Sequence, residues 1–272
     1  MKKGKPTPKR TPPRKKAVRQ KRSGKAAKPR WMLMAWTAFV VVGGIWLTLW
    51  WRGNAVTQGV AVTGMQHAEA EALLELVDAD SGSAYYSINL PIIEGRVERH
   101  PWVAEAQALR GTDLVLTVDV TERVPALLVI DKNGRATHYL DAEGYQMPYV
   151  TGAAYDVPIL RGFTEAYNPV QPIEDQMILD LLHQLTSLDP ELDALVSAFN
   201  VRSDGTLDME TTPAPGRGSI RVRLGRDEFA GRLNRLRAFW RQRVLPEREM
   251  RFETIDLRYD SQIITQERPL GQ

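Results

Sequence analysis

The side chains that most often carry out chemistry in proteins are few in this 272-residue sequence, and they do not fall in catalytic patterns. The four histidines, His67, His100, His138 and His183, form no H-E-x-x-H pair or similar ligand spacing, so we predict no metal site. Cysteine is absent, and neither a G-x-S-x-G elbow nor an S-x-x-K motif supplies an activated serine. No glycine loop for phosphate occurs. The sequence therefore predicts a protein that is not an enzyme, with no cofactor and no small-molecule substrate.

Carboxylates are the remaining reactive side chains, and 33 Asp and Glu are present. Two carboxylates on either side of a sugar linkage would suit glycoside cleavage, and residue spacing alone leaves that possibility open. Asp78, Asp80, Asp204 and Asp208 fall in predicted loops or turns, where acidic side chains are usually solvated. We therefore interpret them as surface groups.

The charges are divided unevenly along the chain. Residues 1–30 contain 14 of the 36 Lys and Arg and no Asp or Glu. The remaining residues hold 22 basic and 33 acidic side chains and therefore a net charge of −11. Such asymmetry indicates a basic tail joined to a region of different character.

An uncharged, apolar run of 21 residues follows the basic segment, from Trp31 to Trp51. As a helix it would span roughly 30 Å, the thickness of a bilayer's hydrocarbon core. Trp31 and Trp36 lie near one end, and Trp46, Trp50 and Trp51 near the other, as in an aromatic belt at each membrane interface. We predict one transmembrane helix over residues 31–51.

Positive charge beside a membrane span stays in the cytoplasm, so the N-terminus is predicted to be inside and the C-terminal domains outside. A cleaved signal peptide is the alternative, with Gly53-Asn54-Ala55 as a weak cleavage pattern, but the apolar run exceeds the usual length of about 7–15 residues. Gly43-Gly44 would allow close contact with another helix, and a passive tether is the simpler interpretation.

The basic tail, residues 1–30, lacks the apolar side chains needed for a core and is predicted to be disordered. It contains no aromatic residue on which bases could stack, so we predict no nucleic-acid binding. Its charge suits attraction to the anionic lipid of the inner membrane. A role in docking another protein is the alternative.

The first part of the outer region, residues 56–124, shows both helical and strand periodicity, and Leu114 to Thr121 alternate with the period of two of a half-buried strand. Asn89 and Pro91 suit the start of a helix that must end before Pro101. The predicted elements are a strand Thr57–Thr63, a helix His67–Val77, a helix from Asn89, and strands Trp102–Leu109 and Leu114–Thr121. This order is strand, helix, helix, strand, strand.

The second part, residues 125–265, is predicted to be strand-rich with two helices, which gives an α+β protein. Asn133-Gly134 suits the tight turn of a hairpin, and Asp204-Gly205 suits another. The further predicted elements are a turn at Asp141–Gly144, helices Pro172–Leu188 and Arg226–Val244, an alternating strand at Ile220–Leu224 and a last strand Phe252–Tyr259. Residues 266–272 are predicted to be a short polar tail.

Six short motifs follow one another along the chain: Val62-Thr63-Gly64, Pro101-Trp102-Val103, Val120-Thr121-Glu122-Arg123-Val124-Pro125, Tyr139-Leu140-Asp141-Ala142-Glu143-Gly144, Leu224-Gly225-Arg226 and Ile255-Asp256-Leu257-Arg258-Tyr259-Asp260. In this order they resemble the motifs of the FtsQ/DivIB family of bacterial cell-division proteins. The resemblance covers roughly residues 31–263. It implies a POTRA domain over 56–124 and an FtsQ-type β domain over 125–265.

The resemblance also implies a scaffold that links early and late proteins of the division septum. Its partners would be FtsB and FtsL, with possible contacts to FtsK, FtsW and FtsI, and its location would be the inner membrane with both outer domains periplasmic. A membrane-anchored envelope enzyme or wall-binding protein is the alternative. Septal localisation would favour the scaffold, whereas binding or cleavage of wall material would favour the alternative.

In this family the last strand region pairs with a segment of FtsB, and the edge strand of a sheet offers free N–H and C=O groups for such pairing. The resemblance therefore predicts a docking edge at Arg258, Tyr259, Asp260, Ser261, Gln262 and Ile263, with Arg202 beside it. Tyr259 would be an aromatic anchor and Arg258 would bind an acidic side chain. The alternative is that Tyr259 caps the core and Arg258 is solvated.

Trp102 is a further candidate for a contact surface, on the first of the two outer domains. An exposed Trp there would suit partner recruitment, but a Trp beside a strand usually buries most of its large area. We predict that Trp102 packs under the second helix of this domain.

Overall fold

A computed structural model describes residues 30–77, 84–152, 155–213, 218–247 and 249–269. Residues 1–29 of the predicted tail, the predicted loop at 78–83 and therefore Asp78 and Asp80 lie outside the described residues. The described chain is of the predicted α+β class. It divides into two compact units, with the boundary between Arg52 and Gly53.

The first unit contains the predicted membrane helix. Helix α1, Arg30–Asn54, is long and apolar enough to cross a membrane. At 1.5 Å per residue it measures roughly 38 Å, more than the hydrocarbon core of a bilayer. The hydroxyls of Thr37 and Thr48 donate to the carbonyls of Met34 and Ile45, which satisfies these polar groups within the helix itself.

The second unit begins with the predicted order of strand, helix, helix, strand, strand. Its elements are β1 (Gly59–Thr63), α2 (Ala70–Val77), α3 (Leu90–Val97), β2 (Val103–Arg110) and β3 (Val115–Glu122). Strand β3 lies at the centre of this sheet, parallel to β1 and antiparallel to β2. The alternating side chains Leu116, Val118 and Val120 are buried, which is the face that the period of two predicted.

Strand β2 lies at an edge of this sheet, but its backbone is partly occupied. The carboxylate of Glu94, on α3, accepts the N–H of Ala108 at 2.9 Å. Glu98, just past the end of α3, accepts the N–H of Ala106 at 3.3 Å. Two carboxylates therefore take the place that a neighbouring strand would have at this edge.

The rest of the unit is a nine-stranded mixed sheet with helices against one face. Its strands run in the order β12-β11-β10-β9-β8-β7-β4-β5-β6. The strands are β4 (Pro125–Ile130), β5 (Ala136–Asp141), β6 (Gln146–Pro148), β7 (Ile159–Arg161), β8 (Val196–Val201), β9 (Leu207–Thr211), β10 (Arg221–Gly225), β11 (Met250–Asp256) and β12 (Ile264–Pro269). The helices are α4 (Gln176–Leu185), α5 (Pro190–Asp193) and α6 (Phe229–Phe239). A π-helical turn, Trp240–Val244, continues α6.

Local sequence explains where these elements begin and turn. The predicted hairpin between β4 and β5 is confirmed, with Gly134 at a φ of +78° and its N–H donating to the Asp131 carbonyl. Helix α4 is shorter than predicted because the Asp175 carboxylate accepts the N–H groups of Met177 and Ile178 and so fixes its first turn. Its apolar face packs on the sheet together with that of α6.

Glu122, the last residue of β3, fastens the segment that follows β1. One of its oxygens accepts the N–H groups of Gln66, His67 and Ala68, each at 2.8 Å, and the other lies 2.9 Å from His67 Nδ1. Burial acts to raise the pKa of this carboxyl, but the three N–H donors outweigh burial and lower it. The motif Val62-Thr63-Gly64 lies just before this contact. Its last position requires glycine, because Gly64 has a φ of +87° and a Cβ there would lie 2.1 Å from the Val120 carbonyl oxygen.

We expect Glu122→Gln to destabilise residues 53–272 by about 1.5–3 kcal/mol at neutral pH, because the N–H groups would lose a charged acceptor. When folding lowers the pKa of a carboxyl, the carboxylate stabilises the protein at pH values above the pKa of the unfolded state. That stabilisation disappears as the pH falls through the lower pKa of the folded state. The ordinary pKa of this carboxyl is 4.5, so the wild-type protein should lose this stabilisation as the pH falls below 4.5. Glu122→Gln has no carboxyl at this position and should show no such loss. Urea unfolding at neutral and acidic pH measures both effects.

The matched control is Glu105→Gln, on the exposed face of β2, where the Gln107 side chain is the one hydrogen-bond partner of the carboxylate among the described residues. This substitution should leave the free energy of unfolding unchanged to within about 0.5 kcal/mol. Equal urea midpoints for the Glu122 and Glu105 variants would contradict the role that we assign to Glu122.

Candidate partner-binding site

The predicted docking residues lie in a turn rather than along a strand edge. Strand β11 ends at Asp256, three residues earlier than predicted, and residues 257–263 connect it to β12. Strand β11 cannot be the edge because β10 and β12 pair with its two sides. The edge is β12, which includes residues 266–269 of the predicted polar tail.

Strand β12 is the end strand of the nine-stranded sheet and pairs, among the described residues, only with β11. Its side chains are largely exposed, including Ile264 at 43%. A strand in this position presents one side of its backbone to solvent, which is the side that another chain can extend by strand addition.

Tyr259 lies beside this edge. Its relative exposure is 46%, so nearly half of its surface is accessible to a partner. Asp260, Ser261 and Gln262 are also exposed, whereas Ile263 is half-buried and packs against the core. The turn therefore offers an aromatic ring and short polar side chains next to the free strand.

Arg258 is fixed by a carboxylate at the end of β11. Its guanidinium donates to both oxygens of Asp256, with Nε at 2.9 Å from Oδ1 and Nη2 at 2.6 Å from Oδ2. Asp256 is only 6% exposed, and burial acts to raise the pKa of its carboxyl, but the Arg258 bonds outweigh burial and lower it. The same pair raises the pKa of Arg258, so both groups stay charged.

Arg202 belongs to the same polar surface. It donates to buried Asp208 at 3.1 Å, and Asp208 lies opposite Arg223 across β9 and β10. Arg223 in turn lies opposite Asp256 across β10 and β11, with Nη1 and Oδ2 3.7 Å apart. A charged row, Arg202–Asp208–Arg223–Asp256–Arg258, therefore links the two arginines that the resemblance selected.

The prediction that Asp208 is a solvated loop residue is wrong. Asp208 lies on β9 and is 4% exposed, because Arg202 lies over it. Asp204, in contrast, is an exposed turn residue that binds Thr206, as predicted. Cross-strand ion pairing explains the burial of an acidic side chain that the sequence alone indicated as solvated.

Arg235, on α6, is a site residue that the sequence reasoning missed. It donates to backbone carbonyls of the turn that carries Tyr259. Helical periodicity gives a partial signal, since Arg232 and Arg235 flank the buried Leu233 and Leu236 and so lie at the border of the apolar face. No periodicity identifies which carbonyls an arginine will reach.

Trp102 lies at the contact between the two sheets. It is 2% exposed, as predicted, and its ring neighbours are His67, Tyr139 and Tyr155, with centroids 5.2, 6.1 and 6.0 Å away. Two of these come from after residue 124, so the ring is covered by the second part of the chain as well as by its own part. It serves packing between the sheets, not an exposed contact.

The histidines show no metal arrangement within the described residues, where no group of three His, Asp or Glu could hold an ion. His67 pairs with Glu122, and His100 lies close to the Trp102 backbone N–H. His138 is buried, and burial lowers its pKa to about 4, so it is neutral at physiological pH.

Comparison with known proteins identifies the family of both parts of the chain that follow α1. Residues 57–123 match the family described as "POTRA domain, FtsQ-type", and residues 124–266 match "FtsQ/DivIB, C-terminal related". A Cell division protein FtsQ from Rhodothermus marinus is 38% identical over 96% of this chain and 92% of its own length. The protein of that name from Salinibacter ruber is 37% identical over 87% of this chain and 93% of its own, and that from Koribacter versatilis is 26% identical over 83% and 66%.

Proposed function

Because this chain belongs to the FtsQ/DivIB family of cell-division proteins, we propose that it is a scaffold of the division septum. It would capture FtsB and FtsL at the β12 edge. The cell-division role follows from the family. The partner, the site and the linking of early and late septal proteins are the proposal. The observation that carries it is the free side of β12 beside an exposed tyrosine and a fixed row of arginines.

Strand addition explains why this edge suits an extended partner. Main-chain hydrogen bonds to β12 would supply affinity for any extended segment, and side chains beside the edge would supply selection. Tyr259 offers a large, rigid surface at little entropic cost, a property of residues that dominate binding energies. Ile264, also exposed, extends this apolar contact along the strand.

The charged row supports an acidic partner. It contains three arginines and two buried carboxylates, so it carries one net positive charge next to the edge. Arg202 and Arg258 are each partly exposed, at 45% and 36% of their side chains, so part of each guanidinium faces solvent. Because Asp208 and Asp256 already hold these side chains in place, a partner carboxylate would meet arginines whose conformational freedom is already lost.

The rest of the chain supports the placement of this site outside the cytoplasm. The 14 basic residues before α1 favour a cytoplasmic N-terminus, which would put the outer region in the periplasm. The POTRA domain would be the second contact surface, for FtsK, FtsW or FtsI. Since Glu94 and Glu98 occupy the β2 edge, we infer that such contacts use another face of that domain.

We expect Tyr259→Ala to weaken capture of the periplasmic segment of the same organism's FtsB by about 30-fold or more, the loss typical of a hot-spot aromatic. The full chain in lipid nanodiscs, with FtsB titrated in biolayer interferometry, gives the affinity. Stability should change by no more than about 1 kcal/mol, because 46% of the residue's surface is already exposed.

Tyr167→Ala is the matched control, since Tyr167 has a similar exposure of 48% and lies beside His138 on β5, one strand from the opposite edge of the sheet. It should bind FtsB as the wild type does. Equal affinities for the two variants would remove Tyr259 from the site, and a folded wild-type chain that binds no FtsB would overturn the proposed function.

A further inference from the structure

Helix α6 holds the turn between β11 and β12 through one side chain. The Arg235 guanidinium donates to three backbone carbonyls of that turn, at 3.0 Å to Leu257, 2.6 Å to Tyr259 and 3.0 Å to Asp260. The Asp260 carboxylate lies 3.9 Å from Nη2 of the same group. One guanidinium therefore binds three of the four backbone carbonyls of residues 257–260.

The other restraints lie at the start of this stretch, where the Leu257 N–H donates to the Arg223 carbonyl and Asp256 binds the backbone N–H and guanidinium of Arg258. Leu257 is buried and Ile263 is half-buried, and these two residues fix its ends. The residues between them are exposed, so packing contributes little to their order. A turn of this kind would exchange among conformations without a specific tether, and a partner would then have to order it on binding.

We propose that Arg235 is a positioning residue for partner capture, which rests on the function proposed above. By fixing the Tyr259 and Asp260 carbonyls, it holds the Tyr259 ring and the start of β12 in the arrangement that an added strand meets. The partner recognised is an extended segment, and Arg235 itself touches the turn rather than that segment.

A purely structural role for Arg235 is less consistent with its surroundings. Three residues earlier, Arg232 is the buried anchor of α6, 7% exposed and bonded to the Leu224 carbonyl and to Asp227 at 2.8 Å. The Arg235 side chain is 29% exposed, and its hydrogen bonds to described residues all go to the turn. Attachment of the helix to the sheet therefore belongs to Arg232, and control of the turn belongs to Arg235.

The test compares Arg235→Gln and Arg235→Lys in the full chain in nanodiscs, with Arg237→Gln as the control. Arg237 lies two residues further along α6 and binds Asp189 at 3.1 Å instead of the turn. Three quantities are measured: amide hydrogen exchange of residues 257–263 in the free protein, the thermal midpoint, and affinity for the FtsB segment used above.

We expect Arg235→Gln to speed amide exchange in the turn and to weaken FtsB binding by about 10-fold, with a thermal midpoint close to that of the wild type. Arg235→Lys should lie between the wild type and Arg235→Gln in exchange rate and affinity, because an ammonium group can still donate to these carbonyls. Arg237→Gln should match the wild type in exchange and affinity.

Unchanged exchange in Arg235→Gln would overturn the inference whatever the partner, and so would faster exchange with unchanged affinity. A large drop in the thermal midpoint that accounts for the lost binding would also overturn it, leaving a structural role. A wild-type chain that fails to bind FtsB is a different result, because it overturns the proposed function itself.

Discussion

Replacement of Trp102 by alanine should lower the free energy of unfolding of residues 53–272 by about 3–5 kcal/mol, the cost usual for removing a fully buried aromatic side chain. The ring is 2% exposed and lies between elements of both sheets, with the rings of His67, Tyr139 and Tyr155 around it. Its loss would open a cavity that neither sheet can close alone. Urea unfolding followed by far-ultraviolet circular dichroism measures the change.

Two further variants separate the ring from its surroundings. Tyr149→Ala is the control, because Tyr149 is 40% exposed and contacts the same Tyr139 ring at 5.8 Å from the solvent side, so it should cost about 1 kcal/mol. Trp102→Phe should cost much less than Trp102→Ala, since Trp102 Nε1 is buried without a hydrogen-bond partner in the described structure and Phe removes that donor. A Trp102→Ala cost no greater than that of Tyr149→Ala would contradict this account.

The parts of the fold that the sequence predicted well are those where one face is buried and the other solvated. Strand β3 alternates because its apolar side chains meet α2 and α3, and α4 shows helical spacing because one face meets the sheet. The turn at Asn133-Gly134 was predictable because few residues adopt positive φ without strain. In each case a local pattern reports a tertiary environment directly.

Strand β12 escaped prediction for the opposite reason. Its six residues are almost all exposed, so neither face required apolar side chains and no alternation developed. Edge strands that avoid aggregation carry charged residues and proline, and Glu267, Arg268 and Pro269 give β12 the composition of a polar tail. The same property that hides the strand in the sequence leaves its edge open in the structure.

The residues of the candidate site are still a prediction from resemblance, and only the structure shows how they are arranged. Arg258 and Tyr259 came from resemblance, and the sequence gives no information on the pairing of Asp208 with Arg202 or of Asp256 with Arg258. Such pairs join residues through strand register and turn geometry, which are properties of the folded sheet. Arg235 is a third example, since it contacts a turn more than 20 residues away.

We expect Asp141→Ala to destabilise residues 53–272 by about 3–5 kcal/mol, because it would leave a buried arginine without its partner. Asp141 opens the turn after β5, where its Oδ1 accepts the N–H groups of Glu143 and Tyr145 and its Oδ2 accepts from Arg123 at 2.7 Å. The side chains of Arg123 and Asp141 are only 10% and 3% exposed. Urea unfolding at neutral pH gives the difference.

This ion pair also joins the two sheets. The backbone N–H of Arg123 donates to the Trp102 carbonyl, while its guanidinium lies 3.7 Å over the Tyr145 ring and binds Asp141. Arg123 therefore contacts both the residue that precedes β2 in one sheet and the turn between β5 and β6 in the other. Loss of Asp141 should weaken the same connection that Trp102 makes through its ring.

The double variant Arg123→Met with Asp141→Leu tests whether the destabilisation by Asp141→Ala comes from the unpaired buried charge or from the lost contact. Because it removes both charges, it should recover much of the stability that Asp141→Ala loses. Glu210→Ala is the exposed counterpart, since Glu210 pairs with Arg161 at 3.3 Å with 37% and 40% of the side chains exposed, and it should cost less than about 1 kcal/mol. If Asp141→Ala costs no more than Glu210→Ala, the pair at the contact between the sheets behaves as a surface ion pair and does not hold them together.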